Sequence, residues 1–504
     1  MRIRMLAALA LCAVLPATPV HARQRPPAIA IVGARIIDGN GGPPLEDGTI
    51  VVEGQRITAI GPRASVAVPR GARVIEAEGR SVTPGFVDTN VHVSLYAGLE
   101  SLVRYEDRFV DLVIEHAQLH LKHGITTVRD SYGMLGPLVE ARDRIARGSV
   151  TGPRMLVAGN IVGWGGPWSF TWSGVKPSGL GLFQEQMNDA ITRGSGEELL
   201  EMGPDSLRAA INRYLDLGPD FIKFGGTGHY SNPVMISFSE RAQKILIDET
   251  HRRGRFAETH STTEEGLRMS LVAGVDVVQH PEVLPDVISD ELAALFRERG
   301  VICSMLVNTM TGKPWAEWSK RREAELKRQA EARDTAQQME RAKTTAELRA
   351  ERGERGMEIR RENAKRLIAG GCPATVGTDN YLGAAPEFRR TPKPEHQDAG
   401  MGTVLAIEGL VELGMTPAQA IVAATRNGAR ASNALSEFGT LEAGKRADIL
   451  MFDADPLADI TNIRKLALIM RDGAIVDGDR LPEKPVFYRP KAAPVETPGR
   501  AQGR

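Results

Sequence analysis

The residues of this chain best suited to holding a metal ion or moving a proton stand at the ends of short apolar runs. They are His92 after FVDTNV, Lys223 in FIKFGG, His260 in AETH, His280 in DVVQH and Asp379 in VGTD, with Asn90 two places before His92. Imidazole nitrogens and carboxylate oxygens together suit a divalent ion, zinc first, with manganese, iron or nickel as substitutes. Such an ion brings the pKa of a bound water towards neutrality, so the chemistry on offer is hydrolysis. Taken singly, each residue has a plainer reading. A strand-end His or Lys is usually hydrogen-bonded scaffold, and an Asp after Gly-Thr can cap the next helix. Their shared position is what argues for a site.

Eight apolar segments alternate with helical patterns and carry these residues: 85–93, 125–130, 154–159, 221–226, 255–260, 276–280, 301–306 and 374–379. Short hydrophobic runs of this kind are strands covered on both faces by helices, and eight of them predict an α/β fold, a (β/α)8 TIM barrel over 83–436. Catalytic groups of a barrel belong at the C-terminal strand ends, where these residues fall. Alternating Val- and Ile-rich text with Asp-Gly turns occurs at 27–82 and again at 437–482, which predicts one small sheet assembled from both chain ends. After strand seven, over 317–362, the chain turns almost wholly to Arg, Glu, Lys, Ala and Gln. This is a helical insertion, read either as a solvated face without a chemical role or as a lid or dimerisation arm.

Residues 1–22 join Arg2 and Arg4 to an apolar run and a small-residue ending, so a cleaved export signal and a periplasmic or secreted protein are expected, without a stable membrane anchor. The stretch 485–504 is expected to be disordered. Cys303 and Cys372 remain after such cleavage; buried thiols are the favoured reading, with one bridge open in an oxidising compartment. Lys plus Arg equal Asp plus Glu at 63 each, which gives no field for nucleic acid and leaves a small molecule as partner. A homo-oligomer stays open. Trp164, Trp168, Phe170 and Trp172 gather in the loop after strand three, to line a substrate pocket or to pack the rim. His396 beyond strand eight is either a substrate contact or a helix start. His116, His120 and His123, before strand two, read as a helix face at the far end of the barrel.

The texts TPGFVDTNVH, GITTVRD, GPDFIKFGGTG, AETH, AGVDVVQHPE and VGTDN, with the later GMTPAQAIVAATRNGARASNALSEFGTLEAGKRADILMFDADPLADI, are similar to the amidohydrolase superfamily, in its prolidase-like and imidazolonepropionase-like branch. The resemblance implies a metal-dependent hydrolase cleaving the C–N bond of an N-acyl amino acid, a dipeptide or a cyclic amide. It also implies a small β-sandwich formed by 27–82 and 437–482, and one or two divalent ions, with zinc expected first. Lys223 would be carbamylated and bridging, His260 and His280 would hold one ion, His92 and Asp379 would help hold the other, and Asp379 would be the proton carrier. The family's His-x-His is Asn90-Val91-His92 here, and an amide oxygen is the weaker ligand. A mononuclear site on Lys223, His260 and His280, a binuclear site with Asn90, and a metal-poor ligand-binding protein therefore all stay open, as does a lactonase or esterase on the same scaffold. His229 is a candidate replacement ligand. Tyr230, His229 and Trp164 are the expected substrate contacts.

Overall fold

The computed structural model describes residues 27–94, 98–173, 179–229, 234–335 and 345–488. Eight parallel segments lie where the sequence places them: Phe86–His92, Ile125–Asp130, Arg154–Val157, Ile222–Gly225, Ala257–His260, Val277–Gln279, Ile302–Met305 and Ala374–Val376, numbered here strands one to eight. They belong to two sheets. One runs from strand eight through seven, six and five to four and ends on Ile161–Val162, which continues strand three. The other runs from strand three through two and one and ends on Asn380–Tyr381, which continues strand eight. Strands three and eight each begin in one sheet and finish in the other, and the result is a barrel-like α/β arrangement.

The covering helices follow from capping and spacing. Pro204–Asp216 opens on a proline, which needs no partner for its missing N–H, and buries Leu207, Ala210, Ile211, Tyr214 and Leu215 on one stripe. Asp290–Arg299 is capped by the Ser289 hydroxyl and stopped by Gly300 at φ 65°, a left-handed turn that glycine adopts without strain. Such stripes meet the strands in one apolar core containing Leu121, Leu246, Leu271, Leu292 and Leu410.

Both chain ends contribute to a separate mixed sheet of eight strands. At its centre Ser81–Pro84 pairs antiparallel with Ile449–Phe452, so the first and last parts of the chain share hydrogen bonds. Ile31, Ile50, Ile57, Ile449 and Met470 form its core. Its pairing is continuous through all the strands rather than divided into two sheets.

The insertion is longer than its charged composition suggested. Helices Gly312–Thr335 and Thr345–Ala369 make an arm whose root is aromatic: Trp315 stacks on Trp318 at 5.0 Å, and the Arg361 guanidinium lies 4.2 Å from the centre of the Trp315 ring. Cys303 and Cys372, at the two sides of that root, are joined as a disulfide with Cα atoms 6.2 Å apart. Of the stretch 485–504, expected to be disordered, residues 485–488 are ordered, and 489–504 lie outside the described residues. The Glu115 carboxylate accepts backbone N–H groups from Val486, Phe487 and Tyr488 and ties them to the first long helix, Phe109–Lys122. Among the described residues no helix is long and apolar enough to cross a membrane.

Candidate active site

The parallel register brings the strand ends to one mouth, and His92, Lys223, His260, His280 and Asp379 line a cavity of about 670 Å³ there. His280 and Asp379 both have positive φ, 39° and 53°. For residues with a Cβ this conformation is strained and tends to be kept where a side chain must be aimed. Backbone bonds brace both: the His280 N–H donates to Ser304 O at 2.7 Å and the Asp379 N–H to Asn90 O at 2.8 Å.

The donors meet as two pairs, and among the described residues no three of His, Cys, Asp and Glu converge on one point. His92 Nε2 stands 2.7 Å from Asp379 Oδ1, and His260 Nδ1 stands 3.1 Å from His280 Nε2. Two nitrogens bound tetrahedrally to zinc at about 2.0–2.1 Å lie roughly 3.3 Å apart, so the His260 and His280 atoms are spaced as ligands of one ion would be. Burial pushes the His280 ring down to about 3 and the His260 ring well below its ordinary range, which keeps both neutral, the form that binds a metal. Burial also lowers His92. At Asp379 burial opposes ionisation, but the field and hydrogen bond of the His92 ring beside it, helped by the fields of His280 and Lys223, hold the carboxyl well below the usual carboxylate range. Burial lowers the Lys223 ammonium, favouring a neutral amine.

Asn90 is placed by its neighbours. Its Nδ2 donates to Asp379 Oδ1 at 3.2 Å and its Oδ1 accepts from the Ser131 hydroxyl, while Lys223 Nζ donates to Ser131 Oγ at 3.4 Å. An ionised carboxylate only accepts, so the amide must turn its NH2 towards Asp379. The lone pairs of Asn90 then face Ser131.

Trp164, Trp168 and Trp172 line the cavity wall, whereas Phe170 is exposed. Trp164 is almost fully buried, with Nε1 donating to Thr227 O at 3.0 Å, and its ring meets His260 edge-on at 4.7 Å. His229 lines the same cavity, stacked on Trp172 at 4.3 Å, with its ring centre 5.7 Å from that of His260. Tyr230 lies outside the described residues. His396 is absent from the cavity lining; its neighbour Gln397 is there instead. His116 is not at the far end of the barrel. It lies midway along its helix, and its Nε2 meets Asn380 Oδ1 at 2.9 Å, directly behind Asp379.

Ser131 and Tyr132 escaped sequence reading, although they follow strand two as the other candidates follow theirs. Tyr132 stacks on Trp172 at 4.6 Å and meets His92 edge-on at 6.0 Å. Position after a strand was the available signal; a Ser-Tyr pair there reads as a turn.

The amidohydrolase family model matches residues 81–476. The solved structure of molinate hydrolase is similar at 29% identity and TM-score 0.79, covering 93% of this chain and 99% of that one. Phenylurea hydrolase B is similar at 28% identity and TM-score 0.79, covering 91% and 99%. Ochratoxinase of Aspergillus niger is 22% identical over 464 residues, 86% of this chain and 82% of its own. A shorter match, 33% identical over 91 residues, spans only 19% of an imidazolonepropionase from Geobacillus sp. (strain WCH70). Prolidase-like structures share the fold at lower identity.

Proposed function

Because the chain belongs to the amidohydrolase family and is a hydrolase of carbon–nitrogen bonds, we propose that it cleaves the amide bond of a small molecule, such as an N-acyl amino acid, with the help of a divalent metal. The observation that carries this reading is the convergence of buried, neutral His260 and His280 with ionised Asp379 on the floor of one aromatic-walled cavity. Molinate hydrolase, phenylurea hydrolase B and ochratoxinase, whose names describe hydrolases of small molecules, support it.

His260 and His280 would hold the ion, with Lys223 as a carbamate and Asp379 as further ligands. Zinc is the expected metal. When bound, such an ion supplies Lewis acidity and a water that ionises near neutral pH. The chain's own residues supply the rest. Asp379, kept ionised, takes a proton from the attacking water at its carboxylate and passes it to the departing nitrogen. His92 and Asn90 fix that carboxylate with hydrogen bonds to its Oδ1. Trp164, Trp168 and Trp172 cover the apolar part of the substrate and exclude bulk water. With the Asn90 lone pairs turned to Ser131, one ion per chain is the favoured count, and His229, stacked on Trp172, is a substrate contact rather than a ligand.

The Cys303–Cys372 bridge supports the proposal that the protein is exported, since such bonds persist in oxidising compartments. The barrel is proposed to close through the divided strands three and eight over 83–436, with the sheet of 27–82 and 437–482 folding into a sandwich-like unit. Assembly into a homo-oligomer stays part of the proposal.

The test is metal content per chain in protein purified without chelator, joined to a hydrolysis screen of N-acyl amino acids, dipeptides, ureas, carbamates and lactones. About one zinc-type ion per chain with amide turnover supports the reading. Metal-replete protein that turns over none of these, or esters alone, overturns it.

A further inference from the structure

The second arm helix delivers a cation into the active-site cavity. Along its described side chains, Arg355 pairs with Glu358, Arg361 with Glu412 and Arg366 with both Glu362 and Asp290. Arg360 differs. It lines the cavity together with Thr309, His280 and Asp379, and no carboxylate among the described residues forms an ion pair with it. Its Nη2 donates to Thr309 Oγ1 at 2.9 Å and more weakly to Leu306 O at 3.4 Å, contacts that aim the side chain without neutralising it. Its Nε is buried and has no partner. Glu282 and Asp379 reach it only through their fields, and Glu282 spends an oxygen on the Leu306 N–H at 2.9 Å.

A half-buried guanidinium without a contacting counter-ion is costly, and neighbouring Arg361 does meet a carboxylate, that of Glu412 on helix Met401–Glu412. Across the same cavity lies the Trp164, Trp168 and Trp172 wall. We propose that Arg360 is the specificity residue that receives a carboxylate of the substrate, so that the preferred substrates are amides bearing a free acid group and an apolar or aromatic body, as in an N-acyl aromatic amino acid. The inference rests on the hydrolase reading for its setting, but the recognition it describes is a binding event and is measurable by itself. The arm is thereby part of the site and not only a solvated face.

The experiment compares N-acetylphenylalanine with N-acetylphenylalaninamide on wild type, Arg360→Gln and Arg360→Lys, with binding read by quenching of tryptophan fluorescence and turnover by amine release. Wild type is expected to bind the acid about 10–100-fold more tightly than the amide, as a charge-assisted contact allows. Arg360→Gln loses that preference while its affinity for the amide stays within about twofold, and Arg360→Lys recovers part of it. The neutral amide therefore serves as the folding control. An Arg360-dependent preference in binding without turnover supports this inference and sinks the hydrolase reading for these compounds. Turnover without preference for the acid, equal losses on both ligands, or binding of neither overturns the inference and leaves the hydrolase reading to its own test.

Discussion

Strands five and six end in His260 and His280, two buried rings that face each other at 3.1 Å and whose far nitrogens, Nε2 and Nδ1, have no partner. Strands one, two, four and eight end in His92, Asn90, Ser131, Lys223 and Asp379, which are linked from Lys223 through Ser131, Asn90 and Asp379 to His92. Of these five residues His92 alone has a buried atom, Nδ1, left without a partner. In the facing pair one ring donates its N–H to the lone pair of the other, so the inner nitrogens satisfy each other and the two outer nitrogens are the buried atoms left without partners. The mouth thus holds a linked network beside two rings hydrogen-bonded to each other, and the two sides should respond differently to substitution.

His280→Ala is expected to have the largest effect, lowering metal retention by more than the roughly 10–100-fold that follows loss of an outer-shell partner; elemental analysis after dialysis measures it, and unchanged content would remove the facing pair from the metal site. Asp379→Asn comes next, with kcat falling by about 10²–10⁴-fold, the usual contribution of a positioned proton carrier, while His260 and His280 still retain metal. Ser131→Ala breaks the linked side at its middle, and a loss of about tenfold in kcat/KM with metal content unchanged is expected. An effect as large as that of His280→Ala would mean that the two sides are not separate.

Smaller effects lie at the margins of the mouth. Opening the disulfide with Cys303→Ser plus Cys372→Ser should cost about 2–4 kcal/mol, read from urea midpoints, with little change in KM. Behind strand eight, burial pushes Lys393 down to about 7 although its Nζ donates to Tyr381 O. An unfolded lysine titrates near about 10.4, so between these values the unfolded chain binds more protons than the folded one, and stability rises as pH climbs from about 7 towards 10. Lys393→Met should flatten that rise; an equal slope in both proteins would assign it to other groups.

The strands were legible because burial on both faces writes hydrophobic runs into the sequence, and Lys223, His260, His280 and Asp379 were legible because strand ends are where a barrel exposes side chains. Pairings across the mouth were not. The bond between Asn90 and Ser131 joins strands one and two, and the Cys303–Cys372 bridge spans a separation of 69 residues, so both depend on register. Arg360 was hidden for another reason. It lies in a run of Arg and Glu whose composition announces solvent, and only the turn of its helix over Thr309 separates it from its paired neighbours. The arm's outer limits were missed because Trp315 interrupts the charged pattern while belonging to the arm's root. His116 shows the limit of placing residues by helix order, since a residue midway along a helix can reach the strand beside it.

The bridge between Cys303 and Cys372 has one more consequence. Residues 304–371, which include both arm helices, form a covalently closed loop, and Ala364 and Leu367 of the second helix return it to the apolar core. A single proteolytic cut within the loop therefore releases no fragment: the cut chain migrates intact on a gel without reductant and splits only when thiol is added. Arms of other lengths can be spliced into the same loop while strands seven and eight stay tethered, so the part of the site that selects the substrate can be exchanged independently of the part that performs the chemistry.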